Sequence, residues 1–377
     1  LSLEQLLSIH ITTGTPLTLA KAPAVASVIS AADIKAMGAL TLDDALVAVP
    51  GLYVAMSPLD RLHPNYTFRG IYSGQNTQVM FMLNGHRVYG GLYGAGISKL
   101  SRMNLNNISK IEVVRGPGSS IYGADAYSGV INIITKTAAE MNGVTAGLKT
   151  GSQNTKNAWI QYGASFENDW NLAFNLEHLQ RDSDKSRVIE TDAQTLFDGL
   201  FLSSASIAPS SLEDRIRATS YNLHLDNKHW KIGLDGYINR NAGVGAGAAQ
   251  AIDPKGHDDL TQSLFTLSYQ NHSADKQWHY EASFSYFHAK TRTKFQIFPP
   301  DTFLPVGNDG NIFTPHDGLG CLTVNIPGIG CLTQFSEGFL GNPGGTDSIP
   351  TFEGTAHYKG WKNHLVRFNA GAKMEKF

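Results

Sequence analysis

Charge is scarce in this 377-residue sequence: Asp, Glu, Lys and Arg make up only 16% of it, against about 25% in ordinary soluble domains. Lys+Arg number 30 and Asp+Glu 32, so no basic field exists to track a nucleic acid and no acidic tail is present. No nucleic-acid partner is therefore expected. Long apolar runs are also missing. Nothing approaches the ~18–20 residues that a helix needs to span hydrocarbon. A β-barrel survives that test, because its spanning strands are only about ten alternating residues, and so does a globular protein with an unusually uncharged surface. Cysteine is limited to Cys321 and Cys331, with no second pair for zinc, which suits one local disulfide in an oxidising compartment; two unpaired thiols are the alternative. Phosphate-cradling and dinucleotide glycine loops are absent, as are the Gly-x-Ser-x-Gly elbow and the His-Glu-x-x-His helix. Neither Asp60 with His63 nor His257-Asp258-Asp259 offers the spacing of a metal site. The expectation is a protein without cofactor, metal or catalysis. No basic n-region or apolar h-region follows Leu1, so an export signal is expected to have been removed or never included.

What is present divides by texture. Residues 1–22 form a Leu- and Thr-rich arm with a short β-prone strip at Ile9, His10, Ile11, Thr12 and Thr13. Residues 23–140 are mixed α and β. A strand at 25–29 leads into a helix capped by Ser30 with Asp33 behind it, and Thr41 caps a second helix that Pro50 and Gly51 stop. Strands are expected at 78–83, 108–115 and 129–136, with an Asn84-Gly85 turn and a Gly116-Pro117-Gly118 corner. Residues 141–377 alternate with period two in nine segments, joined in turn by short connections and long polar, glycine-rich loops. That asymmetry marks a transmembrane barrel, although a soluble sandwich shares the alternation. Trp159, Trp170, Trp230, Trp278 and Trp361 near strand ends favour the membrane version.

Geometry adds a size condition. Ten strands close at a backbone radius of roughly 10 Å and twenty-two at roughly 22 Å, while a domain of about 115 residues is equivalent to a sphere of radius about 17 Å. Nine or ten strands cannot enclose the preceding domain. The chain is expected to be the N-terminal portion of a longer barrel.

Three blocks carry a resemblance. The first is Val28-Ile29-Ser30-Ala31-Ala32-Asp33-Ile34 with Thr41-Leu42-Asp43-Asp44-Ala45-Leu46 and Val49-Pro50-Gly51-Leu52. The second is Phe68-Arg69-Gly70 followed by residues 79–83 and Asn84-Gly85. The third and most specific runs from Ile108-Ser109-Lys110-Ile111-Glu112-Val113-Val114-Arg115-Gly116-Pro117-Gly118 through Tyr122-Gly123 to Gly129-Val130-Ile131-Asn132-Ile133-Ile134-Thr135-Lys136. Together they resemble the plug domain of TonB-dependent outer-membrane transporters. The resemblance implies a mixed α+β plug inside a transmembrane antiparallel β-barrel, with about 9–10 of an expected 22 strands present. It implies localisation in the bacterial outer membrane and contact with its lipid. It also implies import of a scarce nutrient, driven by TonB and the inner-membrane energising complex. A ferric siderophore is the leading cargo; haem or cobalamin import, or a surface receptor without transport, are the alternatives.

Site residues follow from the same resemblance. Ile9, His10, Ile11, Thr12 and Thr13 are the candidate TonB box, an extended segment that would add edge-on to a strand of TonB; an ordinary leader strand is the alternative. Arg69 and Arg115 match arginines that lock the plug to wall carboxylates, with Glu112 in the same network. Ligand is expected on loops near residues 55–66 and 89–96, where Met56, Arg61, His63, Tyr89 and Tyr93 suit an anionic aromatic chelate. Cys321 and Cys331 would staple an exterior loop.

Overall fold

The computed structural model describes the chain apart from residues 1–9, 13–15, 19–24, 57–63, 74–75, 89–102, 104, 117–125, 248–249, 272–276, 362–363, 365 and 377. Near the N-terminus β1 (His10–Thr12) and β2 (Pro16–Thr18) pair antiparallel, Ile11 opposite Leu17.

A five-stranded mixed sheet organises the next part. It is built from β3 (Val25–Ser30), β6 (Val79–Leu83), β7 (His86–Arg87), β8 (Ile108–Arg115) and β9 (Gly129–Thr135), in the order β3-β8-β9-β6-β7, with β6 and β9 parallel. A separate hairpin joins β4 (Leu52–Met56) to β5 (Pro64–Phe68). All five residues of β6 are buried, as a strand covered on both faces requires. Two helices lie at the start of this unit. Ser30 caps α1 (Ala31–Met37) and Thr41 caps α2 (Leu42–Leu46), each in a reciprocal capping box with Asp33 or Asp44, and Gly38 ends α1 at φ 67°. The caps satisfy amide groups that a helix start leaves orphaned. Leu42, Ala45 and Leu46 of α2 are buried, and Tyr66 packs edge-on to Phe81 at 4.9 Å while its hydroxyl donates to Asp43 Oδ1. Burial, with the Asp43 charge beside it, pushes the Tyr66 hydroxyl well above its ordinary pKa. Asn84 and Gly85 both take positive φ in the β6–β7 turn, the geometry that an Asn-Gly pair tolerates.

Thr137 caps α3 (Ala138–Met141), which joins this sheet to the wall. The wall is an open antiparallel path. It starts with β10 (Gly143–Gly151), β11 (Thr155–Ser165) and β12 (Asn171–Arg181), and then an exterior loop carries β13 (Val188–Ile189), α4 (Ala193–Phe201) and β14 (Ser210–Ser211). It continues with β15 (Ile216–Asp226), β16 (Trp230–Gly243), β17 (His257–Gln270) and β18 (Trp278–Phe298). A second long loop holds β19 (Thr302–Val306), β20 (Asn325–Ile326), β21 (Gly330–Phe335) and β22 (Phe339–Gly341) before β23 (Gly344–Tyr358) and β24 (Val366–Lys373) complete the path. The hydrogen-bonded order is β10-β11-β12-β15-β16-β17-β18-β23-β24, with β22 attached to β18. The path does not close: β10 and β24 are its two edges. Among the described residues no helix is long and apolar enough to cross a membrane, which says nothing of strands.

The nine alternating segments of the sequence are the nine wall strands. Two readings are corrected. The two ends of the segment 55–66, read as loop, are strand: Met56 ends β4 and Pro64 begins β5. Trp159 shares the parity of buried Asn157 and Gln161 and lies on the inner face, with its ring against Gly147. It is no lipid-boundary anchor. Trp230 and Trp278 do point outward, exposed beside Tyr269 and Tyr358 at 4.9 and 4.8 Å. The outward face also exposes Val144, Leu148, Ile160, Leu176, Leu223, Leu234, Phe265 and Phe352, an apolar band of the kind that faces lipid.

Candidate functional site

The first sheet is seated against the inner face of the wall. One contiguous core cluster includes Phe68 from the β4–β5 hairpin, Phe81, Ile111 and Ile131 from the sheet, and Leu179, Ile216, Tyr237, Leu260, Phe287 and Ile349 from the wall. The helix α3 closes the junction. A Cβ at Gly163 would stand 2.2 Å from the Ala138 carbonyl oxygen, so this helix approaches β11 where only glycine leaves room.

Polar contacts are concentrated at the turn that precedes β8. Asn106 donates to Glu177 Oε1, accepts from Lys149 Nζ at 2.7 Å and from Gln161 Nε2, through its carbonyl, at 3.0 Å. Asn107 Nδ2 donates to Asn222 Oδ1 at 2.7 Å. Behind these, Asn175 and Gln161 link at 3.1 Å, Asn175 donates to Asn222 at 3.0 Å, and Asn222 donates to Asp235 at 2.6 Å. His224 Nε2 lies 3.0 Å from the same Asp235 oxygen. Asn107, Asn157, Gln161, Asn175, Glu177, Asn222 and Asp235 are all buried. The inner wall here is thus a hydrogen-bonded ladder into which two asparagines plug. His86, in β7, faces this region, and burial pulls its imidazole below the ordinary value; Asp235 opposes that while Lys231 and His224 reinforce it.

The arginines expected to act as locks converge elsewhere. Arg115 donates to the Pro50 carbonyl and to Ser27 Oγ at 3.0 Å. Arg69 adopts φ 49° and its amide donates to the Gly51 carbonyl at 2.9 Å. Burial, then the neighbouring Arg69 charge, pulls the Arg115 guanidinium below its ordinary value. No ion pair of Arg69 or Arg115 with a wall carboxylate occurs among the described residues. Glu112 meets Lys110 Nζ at 2.8 Å and accepts from Asn132 Nδ2 at 3.2 Å.

His10, Ile11 and Thr12 form β1, while Ile9 and Thr13 lie outside the described residues. Met56 ends β4; Arg61, His63, Tyr89 and Tyr93 lie outside the described residues. Cys321 and Cys331 are disulfide-bonded, tying the approach to β20 to β21. The long loops carry features that the sequence reading missed. Phe197 of α4 packs on Phe298 at 5.9 Å and Phe313 at 6.2 Å, and Phe339 meets both Phe298 and Phe335. Asp192, the α4 cap, also accepts from the Ile252 amide at 3.0 Å, and Asp253 accepts from the Gln296 amide at 2.6 Å. Three exterior loops are thereby tied into one rim around a cluster of aromatic rings. The signal for α4 was present: Leu196, Phe197, Leu200 and Phe201 recur at helical spacing after a capping Asp.

Comparison with known proteins fits this arrangement. Residues 18–130 match the TonB-dependent Receptor Plug Domain. The chain is 35% identical over 151 residues to the vitamin B12 transporter BtuB of Vibrio vulnificus, covering 40% of this chain and 24% of that protein. It is 27% identical over 266 residues to the BtuB of Photobacterium profundum, covering 38% of its length. Among solved structures, the closed form of the ferric-catecholate import receptor Fiu from E. coli K12 superposes with a TM-score of 0.63 at 15% identity, over 98% of this chain and 49% of that one. The ferric enterobactin receptor PfeA of Pseudomonas aeruginosa gives 0.57 at 14% identity, over 94% and 49%. This chain therefore spans well under half of the curated relatives and about half of those solved chains.

Proposed function

We propose, for a chain that belongs to the TonB-dependent outer-membrane receptors and comprises their plug domain and the N-terminal part of their barrel, that its receptor takes up an iron chelate by TonB-driven displacement of the plug. The observation that carries this reading is the Asn106–Asn107 docking. A stopper held at this end by hydrogen bonds, rather than by apolar packing alone, can be rehydrated when it moves, so work supplied from outside can shift it at modest cost. The absence of a phosphate-cradling loop in this sequence is consistent with energy arriving through a partner.

β1 supports TonB as that partner. A two-stranded unit is marginal in water, so the β1–β2 pair can exchange for pairing with an added strand, main chain to main chain. Ile9, His10, Ile11, Thr12 and Thr13 remain the proposed box. Arg69 and Arg115 are proposed to meet wall carboxylates on strands that follow this chain, which would offset the repulsion between two converging guanidinium groups. For the cargo, the aromatic rim around Phe197, Phe298 and Phe339 suits a chelate with aromatic groups, and Met56, Arg61, His63, Tyr89 and Tyr93 are proposed as its contacts on the plug side. Cobalamin is the second reading, favoured by the names of the two curated relatives matched in sequence. Binding of ferric catecholates and of cobalamin to the full-length receptor, followed by uptake with and without Ile11→Pro, tests both. Ile11→Pro removes a backbone donor and should abolish accumulation while leaving binding intact. Uptake unchanged by that substitution, at normal surface expression, would reject the box; binding of neither cargo would reject the import reading.

A further inference from the structure

We infer that the outer face of β18 carries a binding site for the phosphate groups of outer-leaflet lipid. β18 is the longest strand, at 21 residues, and its parity is fixed from within: Phe287 and Ala289 are buried in the core shared with the plug. The alternate positions face outward and read, from the short-turn end to the long-loop end, Trp278, Tyr280, Ala282, Phe284, Tyr286, His288, Lys290, Arg292 and Lys294. The first five are apolar or aromatic and the last four are basic. Lys290, Arg292 and Lys294 are exposed, and none makes an ion pair among the described residues.

Strand geometry shows why the change falls where it does. From Trp278 to His288 is ten steps, about 34 Å along the strand at ~3.4 Å each, or about 26 Å of height at a tilt of about 40°. The lipid-facing apolar band of an outer-membrane barrel is about 25 Å tall. Long loops leave the upper strand ends, which places that end outside the cell. Lys290, Arg292 and Lys294 therefore begin where hydrocarbon ends in the outer leaflet, at the level of lipid headgroups. The surroundings suit a phosphate. Thr261 and Thr346 flank Lys290 in register on β17 and β23, and their hydroxyls can donate. Asp259, opposite Arg292, is acidic, and it already accepts from the Asn241 amide at 2.7 Å. Arg240, exposed in the bulge of β16, adds a further cation at that level. Cations at this depth attract anionic headgroups while their stems lie along the apolar surface below.

The test uses the full-length receptor and its Lys290→Gln/Arg292→Gln/Lys294→Gln variant, with Lys228→Gln in a short turn as the control. Native mass spectrometry would measure binding of bisphosphorylated lipid A, of the same lipid with its phosphates removed, and of inorganic phosphate. Heat-modifiable electrophoretic mobility would confirm folded barrels. The expected result is retention of the bisphosphorylated lipid by wild type and Lys228→Gln, with affinity reduced on the order of a hundredfold in the triple variant. Free phosphate should bind far more weakly than the lipid. Equal binding of the dephosphorylated lipid, equal binding by the triple variant, or capture of free phosphate alone would each overturn the assignment.

Discussion

Replacing Asn107 by Asp tests how the plug is held. The substitution conserves shape, so it leaves no cavity, but it removes the donor that meets Asn222 Oδ1 at 2.7 Å. Two acceptors then face each other. Asn222 cannot relieve this by turning its amide over, because its nitrogen already donates to Asp235 at 2.6 Å and its oxygen already accepts from Asn175 at 3.0 Å. Asn107 is 2% exposed and Asn222 3% exposed, so water does not replace the lost bond. Losing a buried hydrogen bond costs about 1–3 kcal/mol, and a buried acceptor pair belongs at the upper end of that range. Asn107→Ala, which removes the donor without adding charge, belongs near the lower end. At about 1.4 kcal/mol per factor of ten, local opening should become about 5- to 150-fold more frequent. Amide hydrogen exchange on the full-length receptor, followed at residues 105–113, should accelerate in that order: wild type, then Asn107→Ala, then Asn107→Asp. Exchange in β12 and β15 away from the contact should change far less. Equal protection of residues 105–113 in all three proteins would refute the idea that this turn latches the plug to the wall.

Other perturbations follow from single contacts. Gly129→Ala would place a Cβ 2.7 Å from the Phe68 ring and 2.8 Å from the Val114 carbonyl oxygen, and should cost about 1–3 kcal/mol of plug stability in chemical unfolding. His86 is a base whose folded-state value lies below the ordinary 6.5. The unfolded chain therefore takes up a proton that the folded chain refuses, and stability should fall as pH drops through about 6.5. His86→Gln should flatten that part of the melting temperature against pH. Cys321→Ser with Cys331→Ser removes a bridge spanning a separation of 10; the loop should lose about 3 kcal/mol of restraint in the loop-entropy picture and be cleaved faster by protease, with the barrel strands still protected.

The plug was legible because its signals are local. Ser30 with Asp33, and Thr41 with Asp44, are capping boxes written in four residues, and both appear as such. The strand 108–115 needed only its own residues and the glycine after it. Wall strands were legible for a related reason, since period-two alternation needs no partner to be seen. Their length was not. β18 extends to 21 residues, and its upper part alternates Lys and Arg with Thr, so it lacks the apolar contrast that marks a strand.

Alternation also leaves open which face is inside, and around the docking turn the usual rule inverts. In a soluble domain the buried face is apolar. In this wall Asn157, Gln161, Asn175, Glu177 and Asn222 are buried and polar, whereas Leu176 and Leu223 are exposed. Trp159 shares the parity of Asn157 and Gln161 and for that reason lies inside the wall, not at the lipid boundary. The docking turn was invisible for a deeper reason: Asn106-Asn107 before a strand reads only as a turn, and its partners Glu177 and Asn222 stand 71 and 115 residues away. No local pattern encodes such a pair. Each half of it is also individually unfavourable to bury, so neither side makes physical sense until the other is in place. The sequence positions least explicable alone are thus the ones that fix the plug against the wall.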